Sequence, residues 1–310
     1  MIIINNINEF KFKNKKIHLA LGNFDGVHIG HSKVIKNAED NKGDGSEVWV
    51  LTFNPHPSKV LQIKKNVQMI NTQKQQINLF SSIGIDGLIY QPFDKELMNS
   101  TPKEFFNNLM QNIPSLSGLY VGDNWSFGKN RSGNTKILSI LCKKNGIFFK
   151  AQAEVNYENK RISSSRIRHS IREGRMNDAY NMLGRYYSII GNIIHGEKIG
   201  RILGYPTANI NPYNECIPAN GIYAATCIFK NISYKAALYI GTRKTLHKNN
   251  ERVIEAHLIN TDDINLYDEE IELKVIQFIR TDEKFKTSDE LQKQIKKDIS
   301  IIDKILDKVT

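Results

Sequence analysis

Residues Gly22-Asn23-Phe24-Asp25-Gly26-Val27-His28-Ile29-Gly30-His31 confine the first half of this chain to a narrow range of folds. They follow the apolar run Ile17-His18-Leu19-Ala20-Leu21 and precede Ser32-Lys33-Val34-Ile35-Lys36-Asn37-Ala38, which has helical character. The order is strand, glycine-rich turn, helix. His28 and His31, three residues apart, are expected on one side of the first helical turn. Gly30 between them has no side chain, so a flat ligand can approach the backbone closely. The helix N-terminus adds unpaired N–H groups and a partial positive charge, which suit a phosphate. Imidazole donates to phosphate oxygens and stabilises charge that develops as a phosphate bond breaks. A nucleotide site is the natural reading. A zinc pair is the competitor, but helical zinc histidines more often sit four apart with an acidic residue nearby.

A length of 310 residues suggests two domains, each large enough to bury a core. No run approaches the ~18 apolar residues of a membrane span, and Met1-Ile2-Ile3-Ile4-Asn5-Asn6 lacks a signal-peptide layout. Cys142, Cys216 and Cys227 show no metal-ligand spacing and cannot all pair, so a cytoplasmic chain with reduced thiols is expected. The net charge of +11 raises nucleic-acid binding. Yet the basic residues are scattered, and clusters such as Lys13-Asn14-Lys15-Lys16 read as solvated faces. No specific nucleic-acid partner is expected; a basic field equally favours polyanionic nucleotides.

Apolar runs at 17–21, 47–53, 87–91 and 118–122 alternate with plausible helices, which implies a Rossmann-like parallel sheet with ligands beyond the carboxyl ends of its strands. The remaining motifs fall there. Phe53-Asn54-Pro55-His56-Pro57 forms a proline-stiffened loop able to present Phe53 and His56. Gly122-Asp123-Asn124-Trp125-Ser126-Phe127-Gly128 sets two aromatics between glycines, a loop suited to stacking on a planar ring or to anchoring in the core. Ile162-Ser163-Ser164-Ser165-Arg166-Ile167-Arg168 reads as a serine-capped helix start.

Near Gly184-Arg185 the texture changes to short alternating strands, such as 223–229 and 271–276, which argue for a closed antiparallel barrel. A final helix follows, with Leu291, Ile295, Ile299, Ile302, Leu306 and Val309 expected to face the barrel. Gly196, Gly200 and Gly204 recur at four-residue intervals ahead of Pro206-Thr207-Ala208-Asn209. The glycines suit phosphates, while Thr207 and Asn209 offer hard oxygens on one side of an extended segment, of the kind that suits Mg²⁺. Glu255 and His257 share a face of one strand, and a carboxylate there can take a proton from a substrate hydroxyl.

The His28–His31 segment looks like the signature of the nucleotidylyltransferase superfamily. The longer string, with the motifs above in order along essentially the whole chain, resembles bacterial bifunctional riboflavin kinase/FMN adenylyltransferases. The resemblance implies an adenylyltransferase domain at 1–184 and a riboflavin kinase domain at 185–310. In the first, Gly22, Phe24, Asp25, Gly26, His28, Gly30, His31, Ser164, Ser165 and Arg168 would bind ATP. Phe53, His56, Pro57, Asn124, Trp125 and Phe127 would meet the flavin, with His28, His31, Asn124 and Arg168 catalytic. In the second, Gly196, Gly200, Arg201, Gly204, Thr207 and Asn209 would bind ATP, with Thr207 and Asn209 on Mg²⁺. Glu255 would be the catalytic base, and Glu255, Arg280 and Phe285 would contact the flavin. ATP would be the co-substrate, with riboflavin, FMN and FAD as flavin substrates and products. A monomer or transient homo-oligomer is expected.

Some positions depart from the family pattern. Asn124 replaces an acidic residue, Trp125 the first aromatic, and Ser165 a threonine. Tyr239-Ile240-Gly241-Thr242-Arg243-Lys244-Thr245 stands for Asn-Ile-Gly-x-Arg-Pro-Thr, and Asp268 for the glycine of Leu-Tyr-Gly. Lys244 lacks proline's fixed φ and Asp268 lacks glycine's permissive backbone, so the flavin-binding turns of the second half are where change is expected. An adenylyltransferase with an impaired kinase half, or a non-catalytic flavin or nucleotide binder, stays open.

Overall fold

A computed structural model describes residues 1–11, 14–61, 67–195, 200, 203–244, 250–261, 264 and 266–309. The chain divides into two compact units, Met1–Ser164 and Ser165–Thr310.

The first unit is built on a six-stranded parallel sheet in the order β1-β4-β3-β2-β5-β8. Its strands are β1 (Ile2–Ile4), β2 (Ile17–Leu21), β3 (Glu47–Phe53), β4 (Gly87–Gln91), β5 (Leu116–Gly122) and β8 (Phe148–Gln152). The central strands β2, β3, β4 and β5 are nearly continuous apolar runs because helices cover both their faces. Those helices are α1 (Ile29–Asn41), α2 (Pro57–Val60), α3 (Gln73–Ile83), α4 (Lys95–Asn99), α5 (Pro102–Asn112) and α6 (Thr135–Lys144). Thr72 and Thr101 open α3 and α5 with capping boxes, closed by Gln75 and Glu104. One core layer gathers around Trp49, Leu19, Phe106 and Leu119, and the other around Phe24, Ile35, Phe80 and Tyr120. Each such buried side chain contributes roughly 1.5–3 kcal/mol. Two small ribbons complete this unit: β6 (Ser126–Phe127) with β7 (Gly133–Asn134), and β9 (Asn156–Tyr157) with β10 (Lys160–Arg161).

Strand order matters more than strand count. From β2 the chain winds one way through β3 and β4, then returns to lay β5 and β8 on the other side of β2. The sheet therefore reverses between β2 and β5, and the crevice beyond the carboxyl ends at such a reversal is where open α/β sheets hold ligands.

The second unit contains helices α7 (Ser164–Arg172, entered from the last residue of the first unit) and α8 (Met176–Leu183), then a closed barrel. The barrel comprises β11 (Tyr187–Ile194), β12 (Ala208–Pro212), β13 (Gly221–Phe229), β14 (Ile232–Lys244), β15 (Asn250–Leu258) and β16 (Glu270–Arg280). They close in the order β11-β12-β15-β14-β13-β16, all antiparallel, with β16 returning to β11. Tyr223, Ala225, Cys227, Leu238, Ile240, Leu273 and Val275 alternate with outward residues and are fully buried.

The last helix, α9 (Ser288–Leu306), lays Ile302 and Leu306 against Ala224 and Ile276. Lys235 on β14 reaches Asp303 of α9 and its C-cap Asp307, each at 2.6 Å. Val309, expected on the apolar face, lies past the helix end and is exposed, because the helix stops one turn earlier. The deepest polar residue on α9 is instead Asp298. All three cysteines are free and buried, and burial raises the thiols of Cys142 and Cys227 to about 12. Among the described residues no helix is long and apolar enough to cross a membrane.

Candidate active sites

The loop between β2 and α1 is clamped from four sides. Thr52 Oγ1 donates to the Asn23 carbonyl at 3.0 Å and Gln76 Nε2 to the Phe24 carbonyl at 3.1 Å. The Ser164 hydroxyl donates to the Asp25 carbonyl at 2.8 Å, while the buried Asp25 carboxylate accepts from the Ile70 N–H at 2.9 Å. These bonds hold an uncommon backbone: φ is 49° at Phe24, 84° at Gly26 and 38° at Val27. Left-handed φ at Phe24 and Val27 is costly, and such strain persists where the surroundings over-determine it. Phe24 is buried, with its ring on Phe80 and edge-on to His31 at 5.2 Å.

The strained loop delivers the histidines. His28 is the N-cap of α1 rather than a residue of its first turn, and its Nδ1 accepts the N–H of His31 at 3.2 Å. With Nδ1 accepting, the neutral ring carries its proton on Nε2. The two imidazoles stack at 3.5 Å. Gly30 lies under the His28 ring: a Cβ there would stand 3.1 Å from its Cε1, closer than ordinary contact. The space that glycine opens is thus filled by the histidine ring.

The other first-unit loops leave the same edge of the sheet, after β3 and β5, the neighbours of β2. After β3, Phe53 is half-buried against the core and Phe93, while His56 caps α2 by accepting from Ser58 N at 3.1 Å, with Pro57 opening that helix. After β5, Asn124 is exposed in a turn closed by Trp125 N on the Gly122 carbonyl. Trp125 stacks on Phe127 at 4.6 Å, and both rings tilt against Phe105. Phe127 is buried and Trp125 only partly so, which leaves Trp125 the more accessible aromatic. Ser165 and Arg168 occupy the first turn of α7, with Arg168 Nη2 donating to Ser165 Oγ at 3.3 Å.

In the barrel, the Thr207 hydroxyl donates to Glu255 Oε2 at 3.3 Å, and Asn209 on β12 stands directly opposite Glu255 on β15. Cross-strand partners project from one face, so three oxygen-bearing side chains converge. His257 holds the approach by donating from Nδ1 to the Pro206 carbonyl at 2.8 Å. Gly200 packs beneath: a Cβ there would lie 2.4 Å from the Tyr205 carbonyl and 3.1 Å from Thr207 Oγ1. Gly204 turns with φ 81°. Gly196 and Arg201 lie outside the described residues. Arg280 is held on the buried Asp298, with Nη2 at 2.7 Å and Nε at 3.0 Å from Oδ2, and its guanidinium lies 5.8 Å from the Phe285 ring. Asp298 raises the Arg280 pKa.

A family model described as FAD synthetase matches residues 11–166, and one described as riboflavin kinase matches residues 183–306. A bifunctional riboflavin kinase/FMN adenylyltransferase of Buchnera aphidicola subsp. Schizaphis graminum is 32% identical over 98% of both chains. This chain belongs to the bifunctional riboflavin kinase/FMN adenylyltransferase family. A Bacillus subtilis relative of that name is 32% identical over 93% of this chain and 92% of its own. The crystal structure of a macrolide-efflux protein from Streptococcus pneumoniae superposes with a TM-score of 0.87 at 25% identity, covering 97% of this chain and 98% of that one.

Two departures from the family pattern resolve in structural terms. Asp268 has φ 61°, so the turn after Tyr267 keeps a left-handed residue where the family has glycine. Aspartate is among the few side chains that tolerate this region. Lys244 is the last residue of β14, paired with Asn250, so the strand runs through the position that proline holds elsewhere in the family. Sequence reasoning missed Tyr239, which the register of β14 sets beside Glu255.

Proposed function

We propose that the chain makes flavin cofactors in two ATP-dependent steps, with the adenylyl-transfer half at 1–184 and the kinase half at 185–310. The barrel transfers the γ-phosphoryl group of ATP to the 5′-hydroxyl of riboflavin, giving FMN and ADP. The first unit directs the FMN phosphate onto the α-phosphorus of ATP, giving FAD and pyrophosphate. What carries this reading is that both family models match one chain, and each covers a formed site: the stacked His28–His31 pair and the Thr207–Asn209–Glu255 cluster.

In the kinase half Glu255 accepts the proton of the attacking hydroxyl, and the Thr207 hydroxyl fixes its orientation. The oxygens of Thr207, Asn209 and Glu255 are the hard donors Mg²⁺ favours. Thr207 and Asn209 would hold the ion, which neutralises phosphate charge when bound with ATP. Gly204 has open space beside it for a phosphate, while Gly200 lets the Tyr205 carbonyl and Thr207 close in.

In the adenylyltransferase half Nε2–H of His28, the nitrogen the Nδ1 cap leaves as donor, donates to the phosphate under attack, with His31 beside it. Asp25, Gly22, Gly26 and Gly30 shape the ATP loop, which Ser164 braces through the Asp25 carbonyl. Asn124 and Trp125 meet the flavin. Both steps proceed by positioning and electrostatics without a covalent protein intermediate. The cytoplasm, where ATP is supplied and thiols stay reduced, is the proposed location.

Incubation of the protein with MgATP and either riboflavin or FMN, followed by chromatography of the flavins, tests both halves. FMN should appear from riboflavin, and FAD from either substrate. Glu255→Gln should lose the first product and keep FAD formation from supplied FMN. Absence of FAD from FMN refutes the reading; FAD without FMN formation reduces it to an adenylyltransferase with a silent barrel.

A further inference from the structure

Tyr239 stands one strand from Glu255, on the side away from Asn209. The cross-strand register runs Asn209, Glu255, Tyr239, Ile222, Arg280 across β12, β15, β14, β13 and β16. Direct cross-strand partners share a face, so these five side chains form one row on the outside of the barrel. Strands lie about 4.8 Å apart, which puts Tyr239 about 5 Å along the row from the base and about 10 Å from Arg280.

The Tyr239 ring leans along its own strand. A Cβ on Gly241 would sit 2.0 Å from its hydroxyl oxygen and 2.2 Å from Cζ, so the hydroxyl end of the ring covers the glycine. Its hydroxyl donates to Asp282 Oδ2 at 3.0 Å. Asp282 belongs to the 281–287 segment that joins β16 to α9. The same segment is tied down at its start by Arg280 on Asp298 and carries Phe285 over the Arg280 guanidinium. The row thus offers a half-buried aromatic beside the base, tied by its hydroxyl to the 281–287 segment.

We propose that Tyr239 is a positioning and specificity residue of the phosphoryl-transfer site, its ring stacking on the tricyclic flavin while the ribityl chain brings its terminal hydroxyl to Glu255. The inference rests on the kinase reading above. A planar aromatic substrate has its best partner in a ring whose orientation is set before binding, since little freedom is lost on contact. Gly241 makes the room in which the ring rests, and the Asp282 hydrogen bond links it to the 281–287 segment.

The experiment titrates riboflavin fluorescence with full-length wild type, Tyr239→Ala, Tyr239→Phe and Asp282→Asn, and measures steady-state FMN formation for each. Tyr239→Ala should weaken riboflavin binding and raise its KM about tenfold, the scale of one aromatic stacking contact. The KM for ATP and FAD formation from FMN should stay within twofold. Tyr239→Phe, which keeps the ring and loses the tether, should restore most of the quenching; Asp282→Asn should match it. Unchanged riboflavin affinity in Tyr239→Ala overturns the proposal, as does failure of Tyr239→Phe to rescue, or an equal rise in the KM for ATP. If wild type forms no FMN, the kinase reading falls, and the titration decides alone: wild type must bind riboflavin more tightly than Tyr239→Ala, beyond the quenching that the flavin site of the first unit gives both proteins.

Discussion

The Nδ1 atom of His28 accepts the backbone N–H of His31, so the side chain that starts the helix is also the one proposed to meet the phosphate. Substitution can separate the two duties. Asparagine is a good N-cap without an imidazole Nε2, whereas alanine supplies neither. His28→Asn should keep wild-type stability within about 0.5 kcal/mol, and His28→Ala should lose about 1 kcal/mol in urea unfolding. Both should lower FAD formation from FMN by roughly 10²–10³-fold, the cost of one transition-state donor.

Asp298 is the buried anchor of α9, holding Arg280 while Gln294 Nε2 donates to it at 2.8 Å. Asp298→Ala leaves a guanidinium without its counter-ion in a half-buried place. We expect a loss of about 3 kcal/mol, seen as a lower calorimetric Tm for the transition of the second unit. Asp298→Asn, which can still accept, should cost roughly half as much.

At Asp268 two effects nearly cancel. Glycine would relieve a left-handed backbone but costs about 0.5–1 kcal/mol in unfolded-state entropy. Asp268→Gly should therefore be neutral within about 0.5 kcal/mol, while Asp268→Val should destabilise by about 1–2 kcal/mol. Urea midpoints at constant slope decide the matter.

His18 is buried in the sheet and shares a 2.7 Å hydrogen bond through Nδ1 with the Tyr120 hydroxyl. Burial lowers its pKa from the ordinary 6.5 and raises that of Tyr120 to about 12. Because the folded pKa is the lower one, the unfolded chain takes up the proton first. Stability should be intact above pH 6.5 and fall as pH drops below it. A Tm series from pH 7.5 to about 5 should show this slope, and His18→Asn should flatten it.

Much of the architecture is legible because its physics is local. The runs at 17–21, 47–53 and 87–91 coincide with β2, β3 and β4, since a strand buried on both faces must be apolar throughout. β5 begins two residues earlier than its run suggests, at Leu116. β1 and β8 escape notice because they are edge strands with exposed positions, as in Phe148-Phe149-Lys150-Ala151-Gln152. The loop motifs stand out through glycine, proline and histidine. Their internal geometry does not: that His28 caps its own helix, and that its ring fills the gap over Gly30, depend on the left-handed φ values of Phe24, Gly26 and Val27. Asp298 hides inside an apolar helical pattern, because its partner Arg280 is brought to it by the barrel. Tyr239 is visible as a departure from the family pattern, but its place beside Glu255 is a matter of register between β14 and β15.

Closure of the barrel joins β11, its first strand, to β16, its last. During synthesis the barrel cannot seal until the chain has emerged beyond Arg280, whereas the parallel sheet has all its strands by Gln152. Pairings this distant in sequence are slow to form, so the FAD-forming half is expected to mature on the ribosome while the half that makes its substrate is still awaiting its final strand.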